Sequence, residues 1–313
     1  MLWKKETNEN GENIIRVFDI GEYSLRDTLE CGQCFRFFDL EREGYDEFIV
    51  IGRDLIFDVA QREAGELIFS GISEADFLGK AVPYFSLDTD FSAMREDILK
   101  RCGHPELIKA ADGARGIAIL RQDAWEALFS FIVSQNNNIP RIKKIIREVA
   151  REYGSNIAEH QGLEKCPLSL HKSNPCQENC KNCGICYTLP TPSDILREPE
   201  KLLPSHPGFR YRYLIDAAER VASGDVKLES LCDMEKTDDV ISELCRITGV
   251  GEKVASCVAL FGLFRLDAFP VDVWMKRALS EMFSGELPVS ELGPYRGIAQ
   301  QYIFHYIRNL SDK

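Results

Sequence analysis

Apolar residues recur at two different spacings along this chain, and no fold built from one kind of element accommodates both. Between residues 12 and 60, short runs rich in β-branched and aromatic side chains alternate with turns: 13–18, 34–38, 47–51 and, after Gly52, 55–59. Runs of that length and content predict an antiparallel sheet. Helical patterns begin near residue 74 and dominate after 120. Trp125, Leu128, Phe129, Ile132 and Val133 stand at i, i+3, i+4, i+7 and i+8, the stripe of a helix resting on a core. The same period returns over 211–222 and 238–246. Strands followed by helices make an α+β chain. Its 313 residues are enough for roughly two domains, which we place at 1–118 (β-rich) and 119–313 (α-helical).

Composition excludes several classes. With 44% hydrophobic and 28% charged residues, the chain is neither collagen-like nor disordered. No run of about 18 apolar residues predicts a membrane span, and the first residues lack the apolar segment of a secretory signal. An intracellular, cytoplasmic protein is expected, nucleoid-associated in a prokaryote. The 11 cysteines then read as thiols or metal ligands rather than as a disulfide framework.

The formal net charge of -12 argues against a simple polycationic DNA binder, but the charge is unevenly spread. Residues 1–100 hold 22 acidic and 11 basic side chains, whereas residues 101–313 hold 28 and 27. Within the second part, residues 136–151 carry Arg141, Lys143, Lys144, Arg147 and Arg151 against Glu148 alone. A DNA-binding face, if there is one, belongs after residue 100.

The most informative segment is Leu244–Cys257. A helix ends near Arg246, Gly249 and Gly251 allow a tight turn, and a second helix starts at about Glu252. The free N–H groups and positive dipole end of that helix suit a phosphate. On the turn alone, an ordinary helix-turn-helix packing unit is an equal reading. Lys253 falls in the first turn, where the dipole disfavours a charged ammonium and favours the free amine of a nucleophile. Asp272 follows Pro270 and Val271. It is either a helix N-cap or a carboxylate that stabilises a cationic sugar, and one residue can serve both roles.

These residues resemble the helix-hairpin-helix DNA glycosylase superfamily, in particular its 8-oxoguanine DNA glycosylase/AP lyase branch. The similarity covers nearly the whole chain outside a cysteine-rich insert. It rests on Gly249-Val250-Gly251-Glu252-Lys253-Val254-Ala255, Pro270-Val271-Asp272-Val273, Asn136-Asn137-Asn138, Gly208-Phe209-Arg210-Tyr211-Arg212-Tyr213 and Gly32-Gln33-Cys34-Phe35-Arg36. The resemblance implies a TBP-like N-terminal antiparallel β-sheet domain followed by an all-α helix-hairpin-helix region. It also implies base-excision repair: excision of 8-oxoguanine, opposite cytosine, from duplex DNA after the nucleotide is flipped out.

In this reading Lys253 attacks C1′ and forms a Schiff base that permits β-elimination, assisted by Asp272. Gly32 accepts the N7 hydrogen of the oxidised base, Gln300 reads its pairing edge, and Phe304 and Cys257 sandwich it. Periodicity alone makes Phe304 and Cys257 core residues. Asn136 fills the gap left in the duplex, Arg141 and Arg210 read the orphan cytosine, and Phe209 wedges beside it. On charge pattern alone Arg141 is one base of a solvated helix face. Gly249, Gly251 and Val254 hold phosphate. Trp274 stands where animal members carry histidine. The expected partner is damaged double-stranded DNA, bound by a monomer, with no membrane association. The alternatives are a glycosylase for another damaged base or a non-catalytic DNA-binding module.

Five cysteines lie between residues 160 and 190. Cys176, Cys180, Cys183 and Cys186 are dense enough for zinc or an iron–sulfur cluster, with Cys166 a fifth candidate; a reduced loop is the other reading. No cofactor is expected for catalysis itself.

Overall fold

The computed structural model of the chain describes residues 1–9, 11–161, 185–285 and 287–311. Six strands form one sheet: β1 (Leu2–Thr7), β2 (Asn13–Phe18), β3 (Phe37–Asp39), β4 (Asp46–Gly52), β5 (Leu55–Gln61) and β6 (Glu66–Ser70). Their order is β1-β2-β6-β5-β4-β3, and every neighbouring pair is antiparallel.

Side chains alternate across a strand, so the central strands feed two cores. Phe48, Val50, Phe57, Val59 and Phe69 face the main core, which continues into the helices. Ile49, Ile51 and Ile56 point the other way, where Ile157, Ala158, Ile185 and Cys186 cover them. Both ends of the cysteine-rich stretch are therefore docked on the outer face of the sheet. A bridge between Asn156 and Tyr187 closes its base, as does the Ile157 amide donating to the Cys186 carbonyl at 2.7 Å.

The sequence expectations hold for β2, β4 and β5 and need correction elsewhere. The run 34–38 is mostly loop, and only its last two residues join β3. β1 and β6 add strands that alternation had not marked. A helix, Leu25–Glu30, interrupts the β-rich part before residue 74 and is capped by Ser24, whose hydroxyl accepts from the Asp27 amide.

The expected helices appear as Ala124–Ser134, Arg210–Ala222 and Thr237–Leu244. The first differs in kind from its predicted stripe. Every residue from Glu126 to Val133 is buried, which is the mark of a central helix rather than a half-exposed one. It packs on Glu252–Gly262. A Cβ at Gly262 would meet Ala127 Cβ at 2.9 Å, so glycine allows that approach.

Candidate active site

The turn between Thr237–Leu244 and Glu252–Gly262 uses only one of its two glycines for an unusual backbone angle, since Gly251 is extended with φ -99. Gly249 has φ +82, and a Cβ there would lie 2.4 Å from the Tyr213 ring. The turn is tied to Arg210–Ala222 by the Thr248 amide, which donates to Asp216 Oδ2 at 2.7 Å. Gly251 is the N-cap of the second helix and supplies no side chain to its open N–H groups. The Val254 side chain is buried in the core. Only its amide, in the first turn, is available to a phosphate, which narrows the role expected for it.

Lys253 is half-buried. Its Nζ stands 5.3 Å from the centroid of Phe131, a ring stacked on Phe261 at 5.5 Å and edge-on to Phe35 at 5.9 Å. One turn on, the Cys257 thiol is fully buried. Burial pushes its pKa up, the Lys253 ammonium pulls it down through charge and a hydrogen bond, and the Asp272 carboxylate pushes it up again. Amine, thiol and carboxylate thus share one small region. Asp272 also fills its structural role: Oδ1 accepts from the Met275 amide at 2.8 Å and caps Val273–Glu281. At the start of that helix Val273 is 81% exposed. Trp274 is half-buried, with the Arg277 guanidinium 5.8 Å from its ring.

Gly32 comes from the sheet side. It follows Leu25–Glu30, has φ +83, and a Cβ on it would meet Phe304 Cε1 at 3.5 Å and Arg308 Nη1 at 3.8 Å. The loop and the aromatic proposed to stack the base are therefore in contact. Gln300, one helical turn before Phe304, is 3% exposed. A cavity of about 330 Å³ opens beside this loop, lined in part by Cys31, Phe37, Lys143, His305 and Arg308.

The sequence reading missed what holds the loop. Gln33 is fully buried. Its Nε2 donates to the carbonyls of Thr28 and Ala118, both at 2.8 Å, and its Oε1 accepts from the Leu120 amide at 2.8 Å. Its own carbonyl accepts from Gln122 Nε2 at 2.6 Å. Three residues on, Arg36 pairs with Glu126 at 3.2 Å and donates to the Tyr187 carbonyl. Burial pushes the Glu126 carboxyl above its usual range, against the pull of Arg36. A glutamine inside a glycine loop carries no sequence signal of this kind; its importance comes from partners about 85 residues away.

Replacing Gln33 with leucine would strand one buried amide and two buried carbonyls. The expected cost is about 3–5 kcal/mol, read as a lower urea midpoint. Excision should fall much further than cleavage at a preformed abasic site, which needs no base pocket.

The residues expected at the orphan base divide. Asn136 is exposed with φ +46, and Phe209 is 46% exposed, its ring edge-on to Tyr213 at 5.8 Å. Arg141 is exposed, with Nη2 3.4 Å from the His206 carbonyl. Arg210, by contrast, is 2% exposed. Its guanidinium donates to the carbonyls of Gln135, Asn136 and Pro207. Burial lowers its pKa, and the positive charge of Arg141 adds to that. In this structure Arg210 shapes the asparagine loop instead of facing outward, because three carbonyls there need a donor.

The basic stretch is also smaller than its sequence. Lys143 is folded onto the sheet, with Nζ 3.3 Å from the Phe37 ring centroid, and burial lowers its pKa. Among the cysteines, Cys186 is buried, while Cys166, Cys176, Cys180 and Cys183 lie outside the described residues. Among the described residues, no group of three or more metal-ligating side chains converges.

An amine in the first turn after a glycine hairpin, beside a ring that touches a loop lent by the sheet part, is the arrangement of the helix-hairpin-helix DNA glycosylase class. Residues 17–128 match the family model described as 8-oxoguanine DNA glycosylase, N-terminal domain. A structure of MBOgg1 in complex with a low-affinity DNA ligand is 34% identical, covers 99% of this chain and 100% of that one, and superposes with a TM-score of 0.79. The Clostridium acetobutylicum 8-oxoguanine glycosylase/lyase, bound to duplex DNA with cytosine opposite 8-oxoguanine, is 29% identical over 99% of each chain, with a TM-score of 0.79. The Saccharomyces cerevisiae N-glycosylase/DNA lyase is 28% identical over 276 residues, 82% of this chain and 67% of that protein.

The chain belongs to the 8-oxoguanine DNA glycosylase/lyase family. It is a DNA N-glycosylase with abasic-site lyase activity, acts in base-excision repair of 8-oxoguanine, and has DNA as its partner.

Proposed function

We propose that the chain acts as a monomer on damaged duplex DNA, removing 8-oxoguanine opposite cytosine with Lys253 as nucleophile. The observation that carries this reading is the meeting of Lys253, Cys257 and Asp272 at the hairpin, with Phe131 beside Lys253 touching Phe35 of the loop whose Gly32 faces Phe304. Lys253 gives up its ammonium proton to solvent, and the resulting amine forms a bond to C1′ as the bond from C1′ to the base breaks, the base leaving with the electron pair. Asp272 offsets the positive charge that develops on the sugar. The amine adduct opens to a Schiff base, a C2′ proton is lost, and the 3′ phosphate departs.

The 1–118 part supplies Gly32 to the base pocket, and the 119–313 part supplies Gln300, Phe304 and Cys257 to it together with the chemistry and the DNA grip. Asn136 fills the gap left in the duplex, Phe209 wedges beside it, Arg141 and Arg210 read the orphan cytosine, and first-turn amides of Gly251–Val254 supply phosphate contacts. Such a reading places the protein inside the cell. The test is borohydride trapping on duplexes carrying 8-oxoguanine opposite each of the four bases. The covalent adduct should form fastest opposite cytosine; equal trapping opposite all four bases rejects the cytosine preference.

Cys176, Cys180, Cys183 and Cys186 bind zinc or an iron–sulfur cluster as a structural group, with Cys166 a fifth candidate for the four places. Thiolate density supports this. Elemental analysis after anaerobic purification should find one metal centre per chain, and a preparation without stoichiometric zinc or iron rejects it. Removing the metal should loosen the base of the insert on the outer sheet face and leave Lys253 chemistry in place.

A further inference from the structure

Gln300 and Gln301 are consecutive, and each is only 3% exposed. Two adjacent buried carboxamides are unusual for a side chain that normally faces water. Gln301 Nε2 donates to Gln300 Oε1 at 3.0 Å. Gln301 Oε1 is buried with no partner among the described residues. An orphaned acceptor works against stability, so packing alone does not account for Gln301.

We propose that Gln301 is a positioning residue that fixes which end of the Gln300 carboxamide meets each atom of the base. The inference rests on the reading that Gln300 faces the pairing edge of the flipped base. A carboxamide carries one acceptor and one donor group side by side. A 6-oxopurine presents O6 as acceptor and N1–H as donor, so the Gln300 NH₂ belongs at O6 and its oxygen at N1–H. Turned half a revolution about its last bond, the same side chain matches a 6-aminopurine, which presents N1 as acceptor and an N6 hydrogen as donor. The bond from Gln301 favours one of these orientations. It engages one lone pair of the Gln300 oxygen and leaves the other lone pair and the NH₂ for the base.

The test measures single-turnover excision of 8-oxoguanine and of 8-oxoadenine from otherwise identical duplexes. Cleavage at a preformed abasic site serves as a control that uses no base pocket. Gln301→Met keeps the length and removes both the hydrogen bond and the orphaned oxygen. Excision of 8-oxoguanine should fall roughly three- to tenfold, with abasic-site cleavage unchanged and thermal stability equal or higher. Gln301→Glu replaces the donor with an acceptor and turns the Gln300 amide over. The ratio of 8-oxoadenine to 8-oxoguanine excision should rise about tenfold.

Wild-type ratios and rates in both variants overturn the inference; should the glutamate variant fail to fold, the methionine variant decides alone. Gln300→Ala separates the two levels. If it leaves 8-oxoguanine excision unchanged, the pocket reading fails. If it lowers excision while the Gln301 variants behave as wild type, only the role of Gln301 fails.

Discussion

Lys253→Gln is expected to abolish the borohydride-trapped adduct and to slow base release by about 10⁴-fold or more, the scale seen when a covalent nucleophile is removed. Binding to an uncleaved lesion duplex should change only a few-fold, because the hairpin amides are untouched. The Cys257 thiol gives a second readout. The ammonium beside it is one of the influences that lower its pKa, so the variant's thiol should titrate at higher pH and react more slowly with a small alkylating reagent at pH 8. An adduct that survives the substitution would assign the nucleophile elsewhere.

Gly249→Ala should be nearly as damaging by a different route. The residue sits at φ +82 with the Tyr213 ring 2.4 Å from where a Cβ would stand. Alanine would have to adopt a disfavoured backbone region and displace that ring. Tyr213 also packs on Phe209, so the disturbance would pass from the phosphate turn to the wedge. A loss of about 2–4 kcal/mol in urea unfolding and a hundredfold weaker grip on duplex DNA are expected. Gly251→Ala is the matched control, since nothing lies within 4 Å of its Cβ position; its loss should stay at about 1 kcal/mol, the cost of alanine at an N-cap. Equal losses at the two positions would mean that the Tyr213 contact is not what requires glycine.

Local chemistry was readable from the chain wherever it depends on neighbours in sequence. The hairpin glycines, the first-turn lysine and the capping aspartate are each defined within a few residues, and the structure places all of them as their spacing implies. Arg210 and Lys143 lie deeper than their charge implies, because a basic side chain advertises charge, not direction. Two carbonyls from a distant segment and that of nearby Pro207 hold the one, and an aromatic ring on β3 holds the other. Gln33 and Glu126 were silent for the same reason: their partners lie about 85 to 90 residues away in sequence. β1 went unmarked because Leu2–Thr7 is an edge strand with mostly exposed positions, so no apolar alternation is imposed on it.

The seating of Gly32 by Gln33 bears on how such an enzyme changes over generations. The lysine proposed to cut and the loop proposed to inspect stand on separate stretches of chain, and the loop is anchored by hydrogen bonds to Ala118 and Leu120 besides its contact through Phe35 with the ring beside Lys253. Substitutions around those two anchors would tilt the inspecting carbonyl while the cutting amine keeps its place. A lineage can therefore drift in the lesions it accepts without first losing the ability to break the strand.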